Sequence, residues 1–461
     1  MSDARYNLAV IGGGPGGYVA AAYAAGRGMH VACVEMEAVG GVCLHRGCIP
    51  SKTLIRSAEL LELARGSFSD FGVNVQGEVS LDLSQAMANK AKVVDRLHRG
   101  TKSLLKAAGV EIIEGRGRLS REGRVAIASA DGNTEIAADY VLVATGSTPR
   151  SIPGVEVDRE TIITSDHALF LDAVPQSMII LGAGAIGMEF AYIMSTFGAK
   201  VTVLELLPRV LPLEDEEISA ALQRLYRDRC EIACGVHVTG AETTSGGVRV
   251  TASSDDSRER TFEADKLLVA VGRRPLSDDL GLEACGVGTE RGHVRCDPVM
   301  RTDNPRVFAI GDVVGRLPLA HTASMEGHVA VDAMLGDQPG PLDYAAIPKA
   351  TYCVPEVASV GLTEAAAAER GHDVRTAKLM FRAIGKAVAS GEYEGLCKIV
   401  ADAGTGKVLG VHILGPHATE LVAEAGLALS MSATVRDLAR TVHAHPTLSE
   451  ILMETAAQLV H

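Results

Sequence analysis

The chain contains two segments with the same pattern, and this repeat strongly limits what it can fold into. The first covers residues 6–35, YNLAVIGGGPGGYVAAAYAAGRGMHVACVE, and the second covers residues 177–205, SMIILGAGAIGMEFAYIMSTFGAKVTVLE. Each segment is typical of a strand, a glycine turn, a helix and a second strand that ends in an acid. The turn glycines and the closing acids stand at equal offsets in the two copies: Gly12, Gly14, Gly17 and Glu35, and Gly182, Gly184, Gly187 and Glu205.

Both segments have the sequence context of a dinucleotide-binding site. Glycines let the backbone approach a pyrophosphate, the helix N-terminus favours phosphate, and the closing acid accepts hydrogen bonds from ribose hydroxyls. One such motif also occurs in ordinary βαβ units, but two complete copies favour two bound dinucleotides. In the second copy Leu206 and Leu207 follow Glu205, and a carboxylate there suits NAD better than the phosphate of NADP. Arg209 is close enough in sequence to leave this choice open.

Composition and charge narrow the class of protein further. The 461 residues are enough for several domains, and 47% hydrophobic with 22% charged residues is an ordinary globular balance. The sequence has no apolar run of membrane-spanning length and no signal-peptide pattern at its start, so we expect a cytoplasmic protein that does not enter a membrane. A net charge of −13 argues against a nucleic-acid partner.

The nine cysteines do not form the framework of a secreted disulfide-rich protein. Cys230 and Cys234 lack neighbouring ligands that would complete a zinc site, and we predict no metal site. Four other cysteines lie in apolar surroundings and are predicted to be buried thiols: Cys33, Cys285, Cys353 and Cys397. Only Cys43 and Cys48 have a context that suggests chemistry.

A second repeat marks the ends of the two nucleotide units. Residues 140–150 and 266–276 are both apolar strands that lead into a glycine, Gly146 or Gly272. The first unit is 44 residues longer than the second, and the excess includes the two cysteines and a predicted helical stretch over residues 52–108. The first unit therefore contains an insertion, with the two cysteines, that the second lacks.

The rest of the chain divides into a returning segment and a separate block. Residues 306–315 predict another buried strand, and from residue 347 alternating strands with a turn at 404–407 precede a helical run from Ala418. We therefore predict an α/β protein with two Rossmann-like nucleotide-binding domains and a C-terminal α+β domain. The predicted divisions are 1–147, 148–275, a central segment 276–346 that returns to the first site, and 347–461.

Residues 40–52 read GGVCLHRGCIPSK, and they hold the two cysteines five positions apart. In a regular helix that spacing separates the Cα atoms by about 8.6 Å, beyond the limit of about 7 Å for a disulfide. A disulfide here needs a distorted helix, for which Gly40, Gly41 and Gly47 provide the freedom. Such a bond in a cytoplasmic protein favours a catalytic role, whereas the alternative is two free thiols near a helix start.

With these residues assembled, the chain resembles the dihydrolipoamide dehydrogenases, the flavin-dependent E3 components of 2-oxo acid dehydrogenase complexes. The resemblance implies FAD in the first unit, NAD in the second and a C-terminal domain that forms a homodimer. It also implies lipoyl domains and an acyltransferase core as partners. The resemblance extends over nearly the whole chain and is carried most specifically by GGVCLHRGCIPSK, ATGS, GAGAIGMEF, AIGD and HAHPTLSE.

The resemblance assigns cofactor contacts to residues outside the glycine turns. It implies that Glu35 holds the adenosine ribose of FAD, and that Lys52 lies near the flavin and pairs with Glu189. Further positions match FAD contacts: Gly115, Thr145, Gly146, Ser147, Asp312, Leu319, Ala320 and His321. Two positions match NAD contacts: Val238 and Gly272.

The resemblance also implies the catalytic residues. His445, oriented by Glu450, takes a proton from the substrate thiol, whose sulfur attacks Cys43 and leaves Cys48 as a thiolate beside the flavin. His443 is the competing histidine. Arg46 departs from the small apolar residue that many relatives carry between the cysteines. Two other readings stay open: a flavin disulfide reductase of another specificity, such as a mercuric reductase, and a non-catalytic component of a complex.

Overall fold

The structure is a computed structural model that describes residues 5–66, 68–120, 124–254 and 259–460. Its strands are β1 (Arg5–Ile11), β2 (Val31–Glu35), β3 (Glu111–Glu114), β4 (Arg116–Leu119), β5 (Val125–Ser129), β6 (Gly132–Val143), β7 (Ser147–Pro149), β8 (Ile162–Thr164), β9 (Ser177–Leu181), β10 (Lys200–Leu204), β11 (Glu231–Ala233), β12 (Val236–Thr244), β13 (Gly247–Ser254), β14 (Glu259–Ala264), β15 (Lys266–Val269), β16 (Arg273–Pro275), β17 (Thr289–Glu290), β18 (His293–Val294), β19 (Val307–Ala309), β20 (Lys349–Thr351), β21 (Glu356–Gly361), β22 (Val374–Met380), β23 (Leu396–Asp402) and β24 (Val408–Gly415).

The helices of the described residues are α1 (Pro15–Gly26), α2 (Gly41–Arg46), α3 (Cys48–Arg65), α4 (Leu83–Ala107), α5 (Ser165–Ala168), α6 (Ala185–Phe197), α7 (Glu216–Leu225), α8 (Ala320–Met334), α9 (Glu364–Glu369), α10 (Gly385–Ser390), α11 (Ala418–Ser430), α12 (Val435–Arg440) and α13 (Glu450–Ala457). Short 3-10 turns occur at Ser69–Phe71, Glu283–Cys285, Gly311–Val313, Tyr344–Ala346 and Phe381–Ala383. None of these helices is long and apolar enough to cross a membrane.

The chain divides into two compact units, of which the first comprises Met1–Thr53, Met87–Arg150 and Arg273–Asp343. Its main sheet has the parallel strands β3, β2, β1 and β6, with β19 also parallel to β6. Strand β5 continues the sheet in antiparallel pairing with the first half of β6, and β4 pairs antiparallel with β5. Parallel strands are buried on both faces, which explains why β1 is apolar from Leu8 to Ile11 and why β2 and β19 are apolar except for Glu35.

The second unit comprises Leu54–Ala86, Ser151–Gly272 and Tyr344–His461. It contains a parallel sheet in the order β11-β10-β9-β15-β8, an antiparallel sheet β12-β13-β14 and a C-terminal antiparallel sheet in the order β20-β21-β24-β23-β22. One face of the C-terminal sheet packs its apolar residues against α11 and α13, where Val411, Ile413 and Ile399 are fully buried.

The two sequence repeats form two βαβ units, as predicted. The first is β1-α1-β2 with its parallel partners, and the second is β9-α6-β10. The prediction of two Rossmann-like units and a C-terminal α+β block is confirmed. The four-part division at residues 147, 275 and 346 stays a prediction.

The helical stretch predicted over residues 52–108 was wrong as a continuous element. Helix α3 ends at Arg65 and α4 begins only at Leu83. Between them Gly72 and Gly77 have φ angles of 72° and 87°, a left-handed conformation that a helix does not accommodate.

Candidate functional site

The two glycine turns have almost the same backbone geometry. Gly12 and Gly182 each have a φ of 103°, which favours glycine. A Cβ on Gly187 would lie 1.9 Å from the carbonyl oxygen of Gly182, and the corresponding distance from Gly17 to Gly12 is 1.8 Å. The third glycine of each motif therefore allows the helix to pack directly on the first.

The middle glycine of each motif has a different environment. A Cβ on Gly14 or on Gly184 would meet no protein atom within 4 Å. Both residues are N-caps, at the starts of α1 and α6, where helix N–H groups lack intrahelical partners. Each turn therefore leaves open space at a helix N-terminus, which is the arrangement that a pyrophosphate requires.

The two closing acids hold the turns in the same way. Glu35 accepts the backbone N–H of Gly13 over 2.6 Å, and Glu205 accepts that of Ala183 over 2.6 Å. The second oxygen of each carboxylate accepts one further backbone N–H, 2.8 Å away. Each oxygen has two lone pairs, so one remains for a ribose hydroxyl.

The segment after Glu35 brings the cysteines beside the first turn. Gly40 donates its N–H to the carbonyl of Gly13 over 2.7 Å. Gly41, the first residue of α2, approaches so closely that a Cβ on it would lie 2.7 Å from the Cα of Gly14. Cys43 therefore lies on a short helix that is packed against the first glycine turn.

The helix carrying the cysteines is interrupted between them, as the spacing argument required. Helix α2 ends at Arg46, Gly47 has the non-helical angles φ −144° and ψ −115°, and α3 begins at Cys48. Both cysteines are thiols in this structure, and their side chains are hydrogen bonded. The disulfide between them stays a prediction.

The surroundings of Cys43 disfavour its thiolate form. The hydrogen bond to Cys48, burial, and the charge of a thiolate at Cys48 raise the pKa of Cys43 well above its usual range, while the charge of Lys52 opposes this. Cys48 is the first residue of α3, and a helix N-terminus stabilises a thiolate. Of the two, Cys48 is therefore the favoured thiolate.

Four residues predicted to line FAD lie together in the first unit: Thr145, Gly146, Ser147 and Asp312. Ser147 donates its hydroxyl to Asp312 over 2.5 Å, and Thr145 donates to the carbonyl of Leu276 over 2.7 Å. Gly146 between them has a φ of 73°. The sequence reasoning missed Arg273, whose Nε donates to the hydroxyl of Ser147 over 2.7 Å. Its position directly after Gly272 in the second repeat was the available signal.

The remaining FAD predictions lie near these elements. Gly115 donates its N–H to the carbonyl of Glu35 over 2.9 Å, next to the first closing acid. Leu319 is the N-cap of α8, which packs against α1, and Ala320 and His321 are the first two residues of α8. A further residue that was missed, Glu326, has a buried carboxylate that accepts the N–H of Gly311 over 2.6 Å.

The residues predicted to contact cofactors from the second unit have different environments. Glu189 lies on α6 and accepts the N–H of Tyr352 over 3.1 Å. Gly272 follows β15 with a φ of 107°. Val238 lies on β12, and its side chain packs in an apolar core, where only 4% of its surface is exposed. Its side chain is therefore a packing residue, and contact with NAD through it stays a prediction.

His445 and Glu450 form a histidine–carboxylate pair. The Nδ1 of His445 lies 2.8 Å from an oxygen of Glu450, and the other oxygen accepts the N–H of Thr447 over 2.8 Å. The hydrogen bonds from Thr447 and then from His445 lower the pKa of Glu450. A carboxylate accepts, so Nδ1 carries the proton and Nε2 is left for proton transfer. The side chain of His445 is 77% exposed.

His443 has a different environment from His445. Its Nε2 lies 2.9 Å from Glu424 of α11, its Nδ1 lies 2.9 Å from the carbonyl of Thr441, and only 6% of its side chain is exposed. Both ring nitrogens are thus occupied by acceptors. This favours His445 over His443 as the base.

Comparisons with known proteins agree with this geometry. Residues 6–327 match the family described as pyridine nucleotide-disulphide oxidoreductase, and residues 347–456 match its dimerisation domain. The chain belongs to the pyridine nucleotide-disulphide oxidoreductases. It is 47% identical to a dihydrolipoyl dehydrogenase from Chlorobaculum tepidum, covering 98% of this chain and 97% of that one. It is 43% identical to one from Bacillus subtilis, over 98% and 97% of the two chains.

Solved structures of the family have the same fold. LpdA from Mycobacterium tuberculosis matches with a TM-score of 0.92 and 31% identity, covering 99% of this chain and 100% of that one. The Cu(II) complex of the HOCl-induced flavoprotein disulfide reductase RclA from Escherichia coli matches with a TM-score of 0.88 and 27% identity, over 99% of both chains.

As a member of this family, the chain is an oxidoreductase that uses FAD and NAD. The residues present fit both groups, since each unit has an open glycine turn and a buried acid with oxygen lone pairs to spare. Among the described residues, no cluster of three or more histidine, cysteine or acidic side chains could hold a metal ion.

Proposed function

We propose that the protein is a dihydrolipoyl dehydrogenase that oxidises protein-bound dihydrolipoyl groups and reduces NAD⁺ to NADH. The observation that carries this proposal is the cysteine pair, Cys43 and Cys48. Their thiols are hydrogen bonded across the break at Gly47, and the helix of Cys43 packs against the first of two open glycine turns. The relatives with 39–47% identity over nearly the full length bear the same name. A dithiol beside one dinucleotide site, with a second such site in the chain, suits electron transfer from a thiol substrate to NAD⁺.

The proposed mechanism uses this chain's residues in the following order. His445 takes the proton of one substrate thiol at Nε2, while Glu450 holds Nδ1 and stabilises the charge. The substrate sulfur then attacks Cys43 in the oxidised pair, which forms a mixed disulfide and releases Cys48 as a thiolate. The second substrate thiol displaces Cys43, so the substrate leaves as a cyclic disulfide and the pair holds two electrons. Bound FAD supplies the carrier for these electrons between the dithiol and NAD⁺.

We further propose that two copies of the chain share each active site. The chain carries the family's dimerisation domain, and the side chain of His445 is largely exposed. Exposed apolar side chains occur close to it in the sequence, at Val442, and on or directly after α11, at Leu427 and Met431. A two-fold homodimer would cover such a surface and contain two equivalent sites.

Mixing two inactive variants tests the shared site. Cys48→Ser and His445→Ala homodimers are combined under conditions that exchange subunits. If the site is shared, each heterodimer has one site with both lesions and one with none. Equal amounts of the two variants give about half heterodimers, so about a quarter of wild-type activity should return. Proven exchange without any recovery would refute a site built from two chains, because every site within one chain would still carry a lesion.

Turnover with defined substrates tests the activity itself. NADH formation should be fast with dihydrolipoamide and with a reduced lipoyl domain, and NADPH should not replace NADH in the reverse direction. Preferred reduction of Hg²⁺ or of a small disulfide would instead assign another flavin disulfide reductase. We propose the acyltransferase core of a 2-oxo acid dehydrogenase complex as partner. We propose the cytoplasm as compartment, because the nine cysteines do not form the framework of a secreted disulfide-rich protein.

A further inference from the structure

The chain after Glu205 forms a loop, residues 206–215, that returns to the second glycine turn. Leu211 donates its backbone N–H to the carbonyl of Ala183 over 2.8 Å. Ala183 in turn donates its own N–H to Glu205. The first repeat has an equivalent hydrogen bond, from the N–H of Gly40 to the carbonyl of Gly13. Two hydrogen bonds therefore hold Ala183 in the second glycine turn. The 206–215 loop donates to its carbonyl, and Glu205 accepts its N–H.

The loop adopts a backbone conformation that its surroundings must maintain. Leu211 has a φ of 42°, a left-handed conformation that is uncommon for leucine. Its residue surface is 4% exposed, and its carbonyl accepts the N–H of Glu214 over 2.9 Å. Strained backbone persists only where neighbouring contacts hold it in place. The end of the loop that follows Leu211 is therefore an anchor for the glycine turn.

Residues 213–215, at the end of the loop, are held by two lysines of the C-terminal sheet. The Nζ of Lys398 lies 3.1 Å from both carboxylate oxygens of Asp215, and the two side chains are each 3% exposed. The Nζ of Lys349 lies 3.4 Å from the carbonyl of Leu213 and 3.6 Å from Glu214. Asp215 also caps α7, because it accepts a backbone N–H at the start of that helix.

Lys398 is buried on the face of the sheet that contacts α7. It is in register with His412 of β24, which is in register with Ser359 of β21, and all three are nearly inaccessible. Burial lowers the pKa of Lys398, but the hydrogen bond to Glu364 and the charge of Asp215 raise it by more. The buried ammonium therefore stays charged and is paired, which is the condition under which a buried charge is tolerated.

We propose that Lys398 is a positioning residue for the nicotinamide dinucleotide, acting through Asp215 and the 206–215 loop on the second glycine turn. The inference rests on the proposed function, in which Glu205 and this turn hold NAD. Without Lys398 the carboxylate of Asp215 is left buried and uncompensated, and it moves toward water. Leu211 then loses its anchor and releases the carbonyl of Ala183, so the turn no longer has a fixed geometry for the pyrophosphate.

The test compares Lys398→Met with Lys378→Met in the full-length FAD-loaded enzyme. Lys378 is the matched control, because it is the register partner of Lys398 and contacts Glu217, but its side chain is 58% exposed. Lys398→Met should raise the KM for NAD⁺ and the dissociation constant of NADH at least about tenfold, the scale of effect for a turn displaced by a fraction of an ångström. The KM for dihydrolipoamide should stay within about twofold. Lys398→Arg should recover most of the affinity, and Lys378→Met should resemble the wild type.

A second variant covers failure to fold. If Lys398→Met does not fold, Lys398→Met with Asp215→Asn removes both charges and should fold. The loop still lacks its two hydrogen bonds from Lys398 in this variant, so the loss of NAD⁺ affinity should remain. A lowered melting temperature with unchanged NADH affinity in these variants would overturn the inference and leave Lys398 a structural residue. Glu205→Gln distinguishes failure of this inference from failure of the proposed function. If it weakens NAD⁺ binding while Lys398→Met does not, only this inference fails, and if Glu205→Gln has no effect, the proposed NAD site itself is wrong.

Discussion

Substituting single glycines of the second turn should separate its two roles. Gly187→Ala places a Cβ 1.9 Å from the carbonyl oxygen of Gly182, whereas Gly184→Ala places one where no protein atom lies within 4 Å. The backbone of Gly184, with φ −72° and ψ −174°, is one that alanine adopts without strain. One substitution therefore disturbs the protein, and the other disturbs only what binds there.

The expected magnitudes follow from these distances. For Gly187→Ala the start of α6 must move by about 1.5 Å to restore an ordinary contact of about 3.4 Å. Overpacking of this kind costs about 1–3 kcal/mol of folding free energy, and a misplacement of about 1 Å lowers catalytic efficiency about 100-fold. Gly184→Ala should change the free energy of unfolding by less than about 1 kcal/mol, because the weaker N-cap that alanine forms is offset by the lower conformational entropy of the unfolded chain. It should nevertheless block NAD⁺, because its methyl group occupies the open space at the helix N-terminus.

The assay combines urea unfolding with titration of NADH and steady-state kinetics in NAD⁺. Gly187→Ala should lose both stability and affinity, and Gly184→Ala should lose affinity alone. Gly14→Ala and Gly17→Ala in the first turn provide the parallel comparison, with FAD content as the readout. Normal NADH binding by a stable Gly184→Ala protein would refute the reasoning, because the pyrophosphate would then not approach that residue.

Four further predictions concern the proposed catalytic residues and nucleotide choice. Cys43→Ser and Cys48→Ser should both abolish dihydrolipoamide oxidation, but only Cys48→Ser should lose a long-wavelength thiolate–flavin absorption band; the reverse result would exchange the roles of the two thiols. His445→Gln should lower kcat about 10²–10⁴-fold, and wild-type turnover would remove it from proton transfer. The pKa of Glu450 is lowered, so this carboxylate should contribute fully to stability above the usual carboxyl pKa of about 4.3 and lose that contribution as the pH falls further. The melting temperature of Glu450→Gln should lack this part of the decrease at acidic pH. Glu205→Arg should shift the NADP-to-NAD ratio of kcat/KM at least about tenfold, since a lost ribose hydrogen bond is worth about 1–3 kcal/mol; an unchanged ratio would place Glu205 away from the ribose.

The sequence predicted well those features that depend on residues near one another in the chain. The glycine turns, the helices that follow them and the closing acids lie within 30 residues in each repeat, and their spacing carries the geometry. The break between Cys43 and Cys48 was predictable for the same reason, because Gly47 lies between them. The pairing of His445 with Glu450, five residues apart, was also accessible through the resemblance.

Other features were decided only by the tertiary structure. Arg273 meets Ser147 across 126 residues, and Lys398 meets Asp215 across 183. The position of Arg273 directly after Gly272 could mark it as a candidate residue, but no local pattern identifies the partner of either residue. A charged residue looks the same in a sequence whether its side chain lies in water or in a buried pair. The packing determines which, and a buried charge is tolerated only where the fold brings a partner to it.

The two adjacent histidines illustrate the division most directly. The sequence HAHPTLSE offered both His443 and His445 as the base, and nothing within it distinguished them except the resemblance. In the folded chain α11 brings Glu424 to His443, which is thereby buried with both nitrogens occupied, while His445 stays exposed. The sequence by itself determined two dinucleotide turns and a nearby thiol pair, because turn and helix geometry are local. Only the tertiary structure decided which titratable groups are buried and which are available to react, because burial depends on segments that are distant in the chain.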